Sequence, residues 1–322
     1  MDSMKILGKE VNVNILEELD PYLDQFRDYK IRGEKLQACS PFREDNHPSF
    51  AVNLVTGVFI DSGNDDLNYY KGDFVKLLAY LRQESYEDAS MYLIDKYNIE
   101  LLDVDTLSLN INLVKEQQVY KTFDWATDLK YLHYRVPYLG KRGISEKVQR
   151  AFKIGYDNDK KAVAIPWQDV NGQIVNVKFR NVNSKKFSYL EDGQLTRYHV
   201  YGLYQCIKYG FDDVVLVESE TDCLYLWSNS IPAIAVGHAG LHPLQLKLLR
   251  KYVKSITIGS DNDSAGNRFR QELITELPKY FTTYNTLIPR GYKDMNDLPP
   301  ALLHEVVTNR EIVSIGYNVN KL

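Results

Sequence analysis

The chain has 322 residues, 44% of them hydrophobic, enough for one substantial core and for two at the usual ~100–200 residues per domain. No apolar run approaches the ~18–20 residues needed to cross a bilayer, and the opening MDSMKILGKEVNVN lacks a charged-then-apolar signal, so membrane and secreted classes are set aside and a cytoplasmic protein is expected. The formal net charge of −4 hides an asymmetry: residues 1–100 carry 11 Lys/Arg against 19 Asp/Glu, whereas residues 131–190 carry 12 against 4, a basic middle suited to a nucleic-acid partner or to an ordinary solvated surface.

In chain order, NILEELDPYLDQFRDY has the spacing of a short amphipathic helix, and SFAVNLVTGVFID reads as two strands joined at Thr56-Gly57. Phe74, Leu77, Leu78 and Leu81 then recur at helical spacing, and a second helix begins near Ser85 with Glu87 and Asp88 in its first turn. Residues 1–100 are thus expected to form a small α+β module, and 101–120, without a clear period, a linker. The three scattered cysteines, Cys39, Cys206 and Cys223, cannot build a four-Cys metal site and suit reduced thiols.

Downstream, Ser145 is placed to N-cap a helix over SEKVQRAF, and AVAIPWQDVNGQIVNVKFRNV predicts a hairpin turning at Asn171-Gly172. Its second strand puts Lys178 and Arg180 on one face, with Lys185 and Lys186 nearby; an exposed, solvated face and a phosphate-binding face are both consistent with this pattern. From residue 211 strands and single helices alternate: DDVVLVE, TDCLYLWSN, PAIAVG, HPLQLKLLRKY, SITIGSD, AGNRFRQELITEL, YNTLIP. That alternation predicts a parallel, Rossmann-like sheet. His238 and His242, near the second strand's exit, are candidates for capping or substrate contact, and Cys223 for the core.

Ligands of a parallel α/β sheet bind beyond the carboxyl ends of its strands. Glu218 ends the first of these strands, with Asp222 four residues on; Asp261 and Asp263 end the third; Lys293, Asp294 and Asp297 follow the fourth. Gathering these carboxylates without counter-charge costs several kcal/mol, so the set calls for hard divalent cations, Mg²⁺ or Mn²⁺, and for phosphoryl-transfer chemistry. The small residues after Asp263 would leave backbone amides open to a phosphate.

The motifs LVESETDCL, AVGHAGL, SDNDSAG and KDMNDL, in that order, closely resemble the Toprim fold shared by DnaG-type primases, topoisomerases and some nucleases. The preceding RGISEKVQRAFKIGY, AVAIPWQDVNGQIVNVKFRN and KKFSYL…YHVYGLYQ resemble the basic subdomain of a DnaG-type or phage primase core. The resemblance implies a basic α/β subdomain over 121–210, a Toprim domain over 211–300 and a tail over 301–322. It also implies catalytic roles for Glu218, Asp222, Asp261 and Asp263, with Glu218 as general acid/base. Metal would be held by Glu218, Asp261, Asp263 and Asp294, and template or nucleotide phosphates by Lys178, Arg180, Lys185, Lys186 and Lys293. Partners implied are a single-stranded DNA template, nucleoside triphosphates and, since no G-x-x-x-x-G-K-[ST] is present, a helicase on a separate chain. A phage or mobile-element origin follows only by analogy.

The family opens on a zinc ribbon with Cys-Pro-Phe-His, a PSF strand, a Cys-x-x-Cys pair and a Gly-Asp-x-Phe helix. Here SPFREDNHPSFAVN and KGDFVKLL keep the scaffold, but Cys39 is displaced by one residue, Arg43 stands at the His position and FIDSGNDD at the Cys pair. Zinc is therefore expected to be absent; the alternative, a mixed site of Cys39, His47 and Asp61 or Asp65, is disfavoured because structural zinc prefers several thiolates. Two other functions share the same motifs: a Toprim nuclease, which hydrolyses rather than builds phosphodiesters, and a non-catalytic adaptor binding DNA or a replication protein.

Overall fold

A computed structural model describes residues 3–97, 121–124, 129, 135–184, 186–238 and 240–314. The expected linker at 101–120 and Lys185 lie outside the described residues. The chain divides into two compact units, Met1–Tyr120 and Lys121–Leu322.

In the first unit a five-stranded antiparallel sheet runs in chain order from Lys30–Arg32 through Lys35–Ala38, Phe50–Asn53 and Phe59–Asp61 to Lys71–Gly72. The turn between its third and fourth strands is held by Asn53 Oδ1, which accepts from the amides of Val55 and Thr56 at 2.8 Å each, an Asx arrangement that substitutes for ladder bonds. Phe42, Phe50 and Phe59, all 1% exposed or less, pack with ring centroids 5.4–5.8 Å apart beneath the helices Phe74–Arg82 and Tyr86–Tyr97. The first-helix expectation resolves into an α-helix, Ile15–Leu19, followed by a 3₁₀ turn, Asp20–Gln25, because Pro21 supplies no amide to continue the ladder.

The second unit joins two sheets. Gly155–Asp157, Ala162–Gln168, Ile174–Asn181 and Phe187–Tyr189 form an antiparallel sheet, with the turn at Asn171-Gly172 as predicted. Ser145 caps Glu146–Ala151, also as predicted. The other sheet has the spatial order Ala233–Ala235, Asp213–Val217, Ser255–Ile258, Thr282–Asn285, Glu311–Val313, parallel throughout except at the last edge. One apolar cluster spans both sheets, from Val163, Ile165 and Trp167 to Val215, Val217 and Ala235, so they share a core; a second cluster, around Leu216, Ile256 and Leu273, covers the opposite face of the parallel sheet. Residues 301–314 are not a tail: helix Pro300–Thr308 buries Leu303, and Glu311–Val313 closes the sheet edge. Three residues with two exposed side chains carry no alternation that a sequence pattern could register.

Candidate active site

The parallel sheet delivers its acids at one end. Glu218 follows the interior strand Asp213–Val217, and its Oε1 accepts from the Asp261 amide at 3.1 Å, across the gap to the end of the neighbouring central strand Ser255–Ile258. Asp263 caps helix Ser264–Glu276, Oδ1 accepting from Gly266 N at 2.8 Å. That contact takes one of the amides expected to be open to phosphate. Only glycine fits at 266, because a Cβ there would stand 2.3 Å from the Asp261 carbonyl oxygen. Asp294 caps the short turn Met295–Asp297 in the same manner, accepting from Asp297 N at 3.0 Å, while Lys293 is exposed and its amide donates to Asp297 Oδ2 at 3.1 Å.

Asp222 is buried in the first turn of helix Glu220–Ser228, hydrogen-bonded to the Ser219 hydroxyl and accepting from Asn296 N at 2.9 Å. The helix begins only at Glu220, so Glu218 and Asp222 converge from a strand end and a helix turn rather than from one helical face.

The electrostatics confirm that these acids form one group. Burial pushes the Glu218 carboxyl up to about 7, the charges of Asp263 and Asp222 adding to it while the Asp261 amide opposes it. Burial and Asp294 raise Asp222 to about 6. Asp261 is driven well above the ordinary carboxylate range by burial and then by Glu218, Asp222, Asp294 and Asp263, and its Oδ1 is buried without a hydrogen-bond partner among the described residues.

Three partners of this cluster, Arg270, Arg142 and Asn296, were not among the site residues expected from the sequence. Arg270, buried on helix Ser264–Glu276, donates to Ser260 O at 3.2 Å and places its charge against Glu218 and Asp261. Arg142 exchanges two 2.8 Å hydrogen bonds with Asn296, whose amide holds Asp222, and its charge pulls Asp222 and Asp294 down. Arg142 also donates to the Tyr138 hydroxyl at 3.2 Å; burial works to raise that phenol, but Arg142 and Arg180 together hold it below its ordinary range. Arg142 thus links the acids to the half-buried Arg180. For Arg270 the usable signal was its position seven residues after Asp263, two turns along one face; Arg142 and Asn296 lie in the motifs RGISEKVQRAFKIGY and KDMNDL, but their meeting over 154 residues has no local signal.

The basic strand departs from expectation. Lys178 is 1% exposed: its Nζ lies 3.3 Å from Glu220 and from the Gly237 carbonyl, with Trp167 Nε1 donating to Glu220 at 3.1 Å. The face it shares with Arg180 is turned to the parallel sheet, while Val177 and Phe179 fill a separate apolar cluster on the other face, so neither side of the strand is solvated. Lys178 is therefore withdrawn as a phosphate ligand. Lys186 is half-buried. His242 proves to be a cap, Nδ1 accepting from Leu244 N at 3.2 Å; His238 is buried, and Cys223 is a core residue.

The donor set tests which cation fits. All candidate ligands are carboxylates, the choice of hard ions, yet among the described residues no three His, Cys, Asp or Glu side chains close round a single point where they could hold a metal. Carboxylates are the ligands that Mg²⁺ and Mn²⁺ commonly take one or two at a time, with water and phosphate oxygens completing the shell.

Comparison with known proteins agrees with the geometry. A Toprim-like family model matches residues 215–299. The DNA primase of Aquifex aeolicus is 25% identical over 331 residues, covering 87% of this chain and 63% of that protein, and the Clostridium acetobutylicum DNA primase is 22% identical, covering 74% and 47%. The chain thus spans about half to two thirds of the length of these relatives. The solved zinc-binding and RNA polymerase domains of the Aquifex aeolicus primase have the same fold, with a TM-score of 0.50 at 22% identity over 94% of this chain and 84% of that one. The chain is accordingly similar to DNA primases over most of its length, and its residues 215–299 match the Toprim-like family model.

Proposed function

We propose that this chain synthesises short RNA primers on single-stranded DNA by metal-dependent nucleotidyl transfer. The observation that carries this reading is the carboxylate group at the strand ends, with Asp261 Oδ1 buried and unpartnered beside Glu218. Mg²⁺ or Mn²⁺ would be held through one or two at a time of Glu218, Asp261, Asp263 and Asp294, and when bound would neutralise phosphate charge and position the triphosphate. Asp222, fixed by Ser219 and Asn296, orients the group and supplies negative charge from behind. Arg142 places positive charge beside the acids, where template or nucleotide phosphates need it, and Arg180, Lys186 and Lys293 extend that role. Glu218, at the strand end beside Asp261, would accept the proton of an attacking hydroxyl. Nucleoside triphosphates and a separate replicative helicase are the expected partners.

The test is incubation of the purified chain with single-stranded DNA, labelled ribonucleotides and Mg²⁺ or Mn²⁺. Template-dependent RNA of a few nucleotides is the expected product. Metal-dependent degradation of the DNA without such product would instead make the chain a nuclease, and neither activity would make it an adaptor.

A further inference from the structure

In the first unit two pairs of side chains with three-residue spacing, Ser40/Arg43 and Asp61/Asn64, converge at one end of the sheet, where Ala38 and Asp61 both pair with Phe50. This is the spacing of ligand pairs in a zinc ribbon. Asp61 is fully buried, and its oxygens are occupied on every side: Ser40 Oγ donates to Oδ2 at 2.6 Å, Asn64 Nδ2 donates to Oδ2 at 3.2 Å, and Ser49 Oγ lies 2.9 Å and Arg43 Nη2 3.6 Å from Oδ1. The same guanidinium nitrogen lies 2.9 Å from Asp45 Oδ2 and 2.8 Å from Ser49 Oγ.

None of the four is a zinc ligand as it stands. A hydroxyl, an amide and a guanidinium offer no soft donor, and the lone carboxylate is already saturated. Cys39 does not make up the deficit, since its thiol is directed at Asp28, 3.9 Å away; His47 and Asp65 are exposed and outside the network. The mixed site of Cys39, His47 and Asp61 or Asp65 is therefore not assembled. Gly63 shows that the space is shaped for the cation: a Cβ there would sit 2.2 Å from Arg43 Nη2 and 3.1 Å from Ser49 Oγ.

We propose that Ser40, Arg43, Asp61 and Asn64 stand at the ligand positions of a ribbon metal centre, and that the Arg43 guanidinium, clamped by Asp45 and Asp61, performs the cross-linking that zinc performs in a ribbon, so that this unit folds without metal. Arg43 Nη2 does this by donating to Asp45 and Ser49, with the Asp61 carboxylate 3.6 Å away as an ion-pair partner. The aromatic cluster of Phe42, Phe50 and Phe59 directly beneath the network supplies the remaining cohesion. Asp45 adds a pH signature. Burial works against its ionisation, but hydrogen bonds from Ser49 and the amides of His47 and Ser40, with Arg43 beside it, hold its carboxyl down at about 2. Its contribution to stability is present above pH ~4 and is lost as pH falls toward 2.

The experiment uses the full chain, expressed with and without added zinc. Metal is measured by elemental analysis, and hydrogen exchange reports protection of Phe50–Asn53 and Phe59–Asp61 before and after a strong chelator. Expected are well under one zinc per chain, protection that the chelator does not change, and a loss of protection of at least about tenfold in Arg43→Ala and in Asp61→Asn. The combined variant Ser40→Cys, Arg43→His, Asp61→Cys, Asn64→Cys is expected to bind one zinc and to become chelator-sensitive. One zinc in the native chain, removed by chelator with loss of protection, overturns the proposal. So does unchanged protection in both single variants, or a folded combined variant that takes up no zinc. If the combined variant does not fold, the native zinc content and the two single variants decide the matter.

Discussion

Asp261→Asn is expected to lower primer synthesis by about 10²–10³-fold and, at the same time, to stabilise the metal-free protein at neutral pH. Both effects come from one cause. Asp261 sits among Glu218, Asp222, Asp263 and Asp294, and each charge there raises the others' pKa, so a neutral amide removes repulsion together with a ligand. The direction with pH is fixed by the raised values. In the folded state Glu218 and Asp222 keep their protons up to about 7 and about 6, whereas in the unfolded chain they release them near pH ~4. Between those limits the folded state binds more protons, so the metal-free protein loses stability as pH rises from ~4 to ~7, by about 2 kcal/mol after allowance for partial exposure. In a unit of this size that corresponds to a fall in melting temperature of about 4–8 °C. Mg²⁺ must displace the same protons, so it raises the melting temperature at pH 8 and has little effect at pH 5.5. Thermal melts of the wild type and Asp261→Asn at the two pH values, with Mg²⁺ or EDTA, read all of this; a variant with full primer synthesis, or a wild type indifferent to Mg²⁺ at pH 8, refutes the assignment of the site.

Lys178→Met has the second largest expected effect. The substitution leaves the Glu220 carboxylate, 4% exposed, with the Trp167 N–H as partner and no counter-charge, at a cost of about 3–5 kcal/mol. The double variant Lys178→Met, Glu220→Gln removes the stranded charge and recovers most of that loss, because a buried pair contributes little beyond a neutral replacement. Urea unfolding of the single and double variants measures both. Because Lys178 does not reach solvent, the double variant is expected to bind single-stranded DNA with an unchanged slope of log affinity against log salt. A slope smaller by about one, with stability unaffected, would restore Lys178 to the phosphate-binding set.

The same residues show how far the sequence could be read. Glu218, Asp261 and Asp263 were legible because a parallel strand ends where its apolar run ends, and ligand-binding groups of such sheets gather at that end. The hairpin at Asn171-Gly172 and the cap Ser145 were legible because each acts on residues within four positions of itself. Lys178 was misread for an equally local reason. Alternation shows that Lys178 and Arg180 share a face, but with Val177 and Phe179 already filling one side, the pattern gave no sign that the other side was covered too. Edge strands Lys30–Arg32 and Glu311–Val313 are short and mostly exposed, so the ladder bonds of a neighbour, and not their own side chains, make them strands.

What the sequence by itself determined is therefore what arises over a few residues or from strand periodicity: the order of elements, the parallel sheet, and the acids at its carboxyl end. The tertiary structure alone decided which partner each buried charge meets. Arg142 with Asn296, Lys178 with Glu220, and Arg43 with Asp61 are pairs separated by 154, 42 and 18 residues, respectively. Burial makes such meetings energetically decisive, because a charge in a low-dielectric interior must find a partner, and which partner it finds depends on how whole sheets pack together rather than on the residues beside it in the chain.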